Sequence, residues 1–122
     1  MRTLTPQEIA QFKHTMDQRQ ARYQHQVAQR YQAAQPVVQR ATQLLRQTFG
    51  ATQVILFGSL LDPQRFHLSS DIDLAVEGLA PLDYFTAVAQ LQDLSPFKID
   101  LVRLERCKPS LKAAILAEGK RL

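Results

Sequence analysis

Ile9, Phe12, Met16, Tyr23, Val27, Tyr31 and Ala34 recur at three-, four- and seven-residue steps along the first third of the chain. That period places them on one stripe of a helix. Thr5-Pro6-Gln7-Glu8 stands just ahead of the stripe. It supplies an N-cap threonine, a proline at the first helical position and a glutamate at the third, which together make a capping box. Pro36 is expected to end or kink this helix, after some 29 residues, where helices of globular domains run to about 8–20. A second helix is expected over Val37 to Phe49, with Val38, Ala41, Leu44 and Leu45 inward and Gly50 as its C-terminal cap.

Beyond Gly50 the apolar pattern shortens to runs typical of strands. Val54 to Phe57, Ile72 to Val76 and Lys98 to Val102 read as three strands. Between the last two, Pro81 to Leu94 reads as a helix with Leu82, Phe85, Val88, Ala89 and Leu91 on its apolar side, broken by Ser95-Pro96. A last helix starts at Pro109, carries Leu111, Ala114, Ile115 and Leu116, and stops at Gly119. Helix, strand, loop, strand, helix, strand, helix predicts an α/β (α+β) fold, with helices covering one side of a small mixed sheet. A chain of 122 residues is large enough to bury a real core, but too small for a separate second substrate-binding domain. The expected division is a helical arm at 1–35 and a compact domain at 36–122. The arm is longer than its own core can cover, which makes its stripe a candidate surface for dimerisation or for a partner.

Charge sharpens this division. Residues 1–50 hold seven Lys/Arg against two Asp/Glu, and residues 51–122 hold eight against nine. The formal excess of +4 therefore belongs to the N-terminal part. With no basic run and no interleaved aromatics, a solvated helix face explains it better than a nucleic-acid site does. Twelve Gln in residues 1–50 fill polar helix positions rather than marking a disordered tail. One cysteine, Cys107, leaves no internal disulfide and fits a reducing cytoplasm. No apolar segment reaches membrane-spanning length.

The chemistry concentrates between Val54 and Leu74. A strand runs into Gly58-Ser59, an eleven-residue loop follows, and Asp71 and Asp73 then bracket Ile72. Because strand side chains alternate, the two aspartates share one face while Ile72 and Leu74 share the other. They stand about 6.6 Å apart along the strand, at roughly 3.3 Å per residue. Carboxylates at that spacing suit hard cations that take oxygen ligands. Gly58 allows close backbone approach to a ligand, and a helix starting at Ser59 would aim amides at phosphate. An Asp-x-Asp alone can be a solvated edge, and Gly-Ser an ordinary turn. The two motifs together, between apolar strands, point to a nucleoside triphosphate and divalent metal. Arg65 and His67 lie in the loop, in reach of phosphate or simply as polar residues of a mobile segment. His14, His25 and His67 share no ligand-like spacing.

Gly58-Ser59 with Ser70-Asp71-Ile72-Asp73-Leu74 resembles the G-S…D-x-D signature of the polymerase-β-like nucleotidyltransferase superfamily. The short length resembles its minimal nucleotidyltransferase branch, the antitoxins of HEPN/MNT toxin–antitoxin pairs. Asp100 stands where that superfamily carries its third acidic residue, and the resemblance covers roughly residues 37–122. It implies a polymerase-β-like fold in which Asp71, Asp73 and Asp100 are catalytic and bind two Mg²⁺ (or Mn²⁺) ions. Gly58, Ser59 and Ser70 would bind the nucleotide. It further implies transfer of AMP from ATP to a tyrosine hydroxyl of a HEPN-type ribonuclease toxin, silencing it in the cytoplasm; the long helix, outside the resemblance, offers the surface for a homodimer or hetero-oligomer. Two alternatives stay open: an antitoxin that only masks its toxin, and a nucleotidyltransferase acting on a small-molecule hydroxyl.

Overall fold

The computed structural model describes residues 2–122. Helix α1 covers Pro6–Gln43, 38 residues in one piece. Its start is the expected capping box: the Glu8 amide donates to Thr5 Oγ1 at 3.1 Å, and the Thr5 amide reaches Glu8 Oε1 at 3.4 Å. Pro36 neither ends the helix nor opens a second one. The proline costs one helical hydrogen bond, about 3 kcal/mol in an interior position. The carbonyl it frees belongs to Gln32, and both residues are exposed, so water can take the bond. Burial of Ala34, Val37, Val38 and Ala41 on the other side of the same turns outweighs that cost. The expected second helix is thus the last part of α1 plus a wider π-turn at Leu44–Thr48. Gly50, at φ +71°, closes it, with the Ala51 amide donating to Leu45 O at 2.9 Å.

Strands β1 (Gln53–Phe57), β2 (Ile72–Glu77), β3 (Ile99–Arg103) and β4 (Lys120–Arg121) form one sheet in the order β3-β2-β1-β4. β1 runs antiparallel to β2 and β4, and β2 runs parallel to β3. Two-residue, fully charged β4 carries no apolar pattern and escapes a periodicity reading. It continues the chain past α3 (Pro109–Glu118), where Gly119 ends the helix.

Two layers of side chains flank the sheet. Val54, Leu56, Ile72, Leu74, Val76, Ile99 and Leu101 face α1 and the helix α2 (Tyr84–Gln92) in the main core. Ile55 and Ala75 face the other way and meet Ile115 of α3 and Leu104 in a second, smaller cluster. The helices therefore cover both faces unequally rather than one side alone. α2 also departs from expectation. A 3₁₀ turn at Pro81–Asp83 precedes it, and the helix proper begins at Tyr84. Its phase is set by Tyr84, Ala87, Val88 and Leu91, with the Tyr84 hydroxyl donating to Leu101 O at 2.8 Å. Leu82 and Phe85 are 93% and 79% exposed, so they lie outside the core, and Ala89 is exposed too. On α3 only Ile115 is buried, while Leu111, Ala114 and Leu116 are exposed.

α1 divides in its environment, not in its backbone. From Val27 onward Tyr31, Ala34, Val37, Val38 and Ala41 pack on the domain. Ile9, Phe12, Met16 and Tyr23 are exposed. The stripe that begins the chain is thus uncovered over its first half. Among the described residues no helix is long and apolar enough to cross a membrane.

Candidate active site

The site forms where the C-terminal end of β1 meets the N-terminal ends of β2 and β3. Phe57 pairs with Asp73 across the antiparallel ladder, and Asp73 pairs with Asp100 across the parallel one. Paired residues point to the same side of a sheet, so Phe57, Asp73 and Asp100 share the face opposite the main core. Ile72 and Leu74, on the core side, are fully buried. Asp71 immediately precedes β2 and is partly buried. The sheet thereby gathers all three aspartates at one end.

Gly58 sits against Asp73. Its φ of +79° suits glycine, and a Cβ built there would overlap Asp73 Oδ2. Any larger residue would have to push the carboxylate aside. From Gly58 the chain enters a 3₁₀ turn, Gly58–Leu61, which contains Ser59. The loop that follows is anchored rather than free. Phe66 is buried and meets Tyr31 of α1 edge-to-face, with ring centroids 5.8 Å apart. Ser70 is buried as well: its hydroxyl accepts from the His67 amide at 3.0 Å, and its own amide donates to His67 O at 3.0 Å. The Ser70 carbonyl accepts from Arg30 Nη2 at 3.0 Å, and the Arg30 guanidinium lies 4.5 Å over the Phe97 ring. Ser70 therefore clamps the loop that delivers Asp71. His67 Nδ1 engages Ser69 Oγ at 3.0 Å. Arg65 lines a cleft with Phe57, Gly58, Leu111 and Glu118 next to the site.

The electrostatics match this crowding. The Asp73 carboxyl is pushed up from 3.8 to about 6, first by loss of water around it, then by the charges of Asp100 and Asp71, and by the hydrogen bond its protonated form donates to Asp100; Lys98 pulls the other way. A carboxylate held this high gains from any cation placed beside it. Lys98 is such a cation: its Nζ lies 4.0 Å from Asp71 Oδ2 and 3.8 Å from Asp100 Oδ1. Sequence reasoning missed it, although the signal was there, since Lys98 and Asp100 are two apart on one strand by the logic that paired Asp71 with Asp73. Arg30, forty residues from the carbonyl it holds, left no such signal.

Among the described residues no three His, Cys, Asp or Glu side chains converge closely enough to hold an ion as they stand. The donor set nevertheless fits a hard divalent ion. It is all carboxylate oxygen, and the Lys98 ammonium shows that a cation is accommodated between Asp71 and Asp100.

Comparison with known proteins places this geometry in a family. The Polymerase beta, nucleotidyltransferase family matches residues 39–122, from the last turns of α1 to the C-terminal residue of the sequence. No curated protein matches the chain. Among solved structures, a mutant of the toxin–antitoxin MntA–HpeT is 25% identical, with 68% of this chain and 69% of that one covered and a TM-score of 0.57. A toxin–antitoxin crystallised with AMP-PNP is 27% identical, with 66% and 67% covered and a TM-score of 0.57. A minimal nucleotidyltransferase is 26% identical, with 81% and 95% covered and a TM-score of 0.55. The chain belongs to the polymerase beta nucleotidyltransferase family and is a nucleotidyltransferase.

Proposed function

We propose that this protein is the antitoxin of a toxin–antitoxin pair and that it transfers AMP from Mg·ATP to a tyrosine hydroxyl of a HEPN-type ribonuclease toxin. The observation that carries this reading is Asp73 and Asp100 in register on one sheet face, with Asp71 just ahead of β2 and joined to Asp100 through Lys98, beside a glycine turn where a Cβ would overlap Asp73. Two similar structures are toxin–antitoxin complexes, and one of them holds an ATP analogue.

In the proposed reaction the acceptor oxygen forms a bond to the α-phosphorus, the α–β bridging bond breaks, and pyrophosphate leaves. Ser59 and the backbone at Gly58 hold the departing phosphates by hydrogen bonds. Ser70, clamped between His67 and Arg30, fixes the approach of Asp71. Asp71 and Asp73 hold the divalent ions, whose bound charge offsets the repulsion between triphosphate and carboxylates. Asp100 completes that set and orients the acceptor hydroxyl or takes its proton.

The division into an arm (1–35) and a catalytic domain (36–122) belongs to the same proposal, with the arm serving the toxin. Its exposed half carries Arg2, Lys13, Arg19 and Arg22 against Glu8 and Asp17. Like charges on two copies would repel, so an acidic partner surface suits the stripe better than a second arm. The test is direct. Incubated with ATP, Mg²⁺ and the product of the neighbouring gene, the wild type should add AMP-sized increments to the partner's mass, and the Asp71→Ala, Asp73→Ala double variant should add none. A double variant that still inhibits the toxin stoichiometrically, beside a wild type that adds no mass, would replace transfer by masking.

A further inference from the structure

The three aspartates are not alone on their face. The described residues contain ion pairs at only two places, Arg2 with Glu8 near the N-terminus and Lys98 with Asp71 and Asp100. Of fifteen Lys and Arg, Lys98 is thus the one whose charge is spent on the carboxylate cluster. Its position is set by the sheet. The Ile72 amide donates to Lys98 O at 3.0 Å, and the β2–β3 register (Ile72 with Ile99, Asp73 with Asp100) continues one step back to Asp71 and Lys98. The backbone is therefore fixed where the metal-bearing strand begins. The side chain is not: it is 68% exposed, on a flexible four-carbon stem whose ammonium is a compact point charge.

We propose that Lys98 is the resident counter-ion of this cluster, occupying the space between Asp71 and Asp100 in the metal-free protein and yielding it to the first divalent cation. The proposal rests on the reading of those aspartates as metal ligands. Its physical content is competition. An exposed ion pair adds little to fold stability, so the ammonium's effect falls on what else can occupy the same oxygens. A free divalent cation must displace it or bind beside it, and both lower affinity. A cation that arrives with a triphosphate is different, because it brings phosphate oxygens that can pair with the displaced ammonium. Lys98 thereby biases the site toward the metal–nucleotide complex over the bare ion.

The experiment measures metal binding, not catalysis. Mn²⁺ is titrated into the full-length protein at low ionic strength and followed by electron paramagnetic resonance of the free ion, with and without AMP-PNP. Lys98→Met, which keeps the stem, and Lys98→Gln, as a second neutral variant, should bind bare Mn²⁺ on the order of tenfold more tightly than wild type, the effect of removing one nearby charge in a well-screened setting. Lys98→Arg should stay near wild type, and added salt should shrink the difference. AMP-PNP should strengthen Mn²⁺ binding more in the wild type than in Lys98→Met. Equal Mn²⁺ affinity in wild type and both neutral variants, with binding lost in Asp73→Asn, would overturn the role of Lys98 and leave the metal site standing. Mn²⁺ binding that survives Asp73→Asn would instead remove the metal-site reading beneath it.

Discussion

The two faces of the sheet are built from the same strands and share almost nothing else. On one, Leu56, Leu74 and Leu101 lie in register under α1 and α2, all at or below 7% exposure. On the other, one residue along each strand, Phe57, Asp73 and Asp100 lie in register with the site open beside them. The difference lies in what covers them. α1 and α2 cover the first face, whereas on the second the cluster of Ile115 of α3 with Ile55, Ala75 and Leu104 extends to Phe57 and leaves Asp73 and Asp100 partly exposed. A helix extended over the aspartates would strip water from three carboxylates, each of which costs several kcal/mol to bury unpaired. The half-covered face is thus a consequence of the chemistry it carries.

Stability should follow the closed face. Leu74→Ala removes a fully buried side chain between α1 and the sheet, and is expected to cost about 2–5 kcal/mol, read from the urea midpoint at unchanged slope. On the open face, Asp73→Asn should cost no stability, yet lower AMP transfer at least about a hundredfold, the scale on which lost charge stabilisation shows in rates. Equal destabilisation by the two changes would dissolve the distinction between the faces.

Asp73 also gives the comparison a pH signature. Its carboxyl is raised from 3.8 to about 6 in the fold, so between those values the folded state binds more protons than the unfolded chain. Stability from this group is therefore complete below about pH 4 and is lost as pH rises through about 6. In the metal-free protein Asp73→Asn should melt higher than wild type at pH 7, with the gap closing by pH 4. A gap constant across that range would mean that the carboxyl is not crowded as the structure has it. Mg·ATP should raise the melting temperature of the wild type and not of the variant.

How much of this was legible in the sequence differs by face as well. On the open face, period-2 alternation puts Asp71 and Asp73 on one side and Gly58 marks the close approach, whereas Asp100 was placed by resemblance, and only the β2–β3 register sets it beside Asp73. Lys98 was within reach of the same rule. What the sequence hid depends on distant packing. Pro36 reads as a break, and only the burial of Ala34, Val37 and Val38 explains why the helix runs through it. Phe85 reads as core, and only the 3₁₀ turn before Tyr84 shows why the helix phase turns it to solvent. Ser70 is a nucleotide ligand by resemblance, and the clamp it also forms depends on Arg30 and His67.

The smallest effect on stability is expected where α1 repeats the contrast within one helix. Residues 6–22 touch little of the domain, and Ile9, Phe12 and Met16 are exposed along them. Val27, Arg30, Tyr31 and Ala34 belong to the core or to the Ser70 clamp. Removing residues 1–22 should therefore change unfolding free energy by no more than about 0.5 kcal/mol, the range of surface changes, and leave Mn²⁺ binding intact. Removing residues 1–34 should lower stability by several times that amount and loosen the approach to Asp71. Toxin modification should fall already with the shorter deletion, because the basic apolar stripe leaves with it. If the shorter deletion modifies the partner as fast as the full chain, the first half of α1 is not the surface the toxin uses.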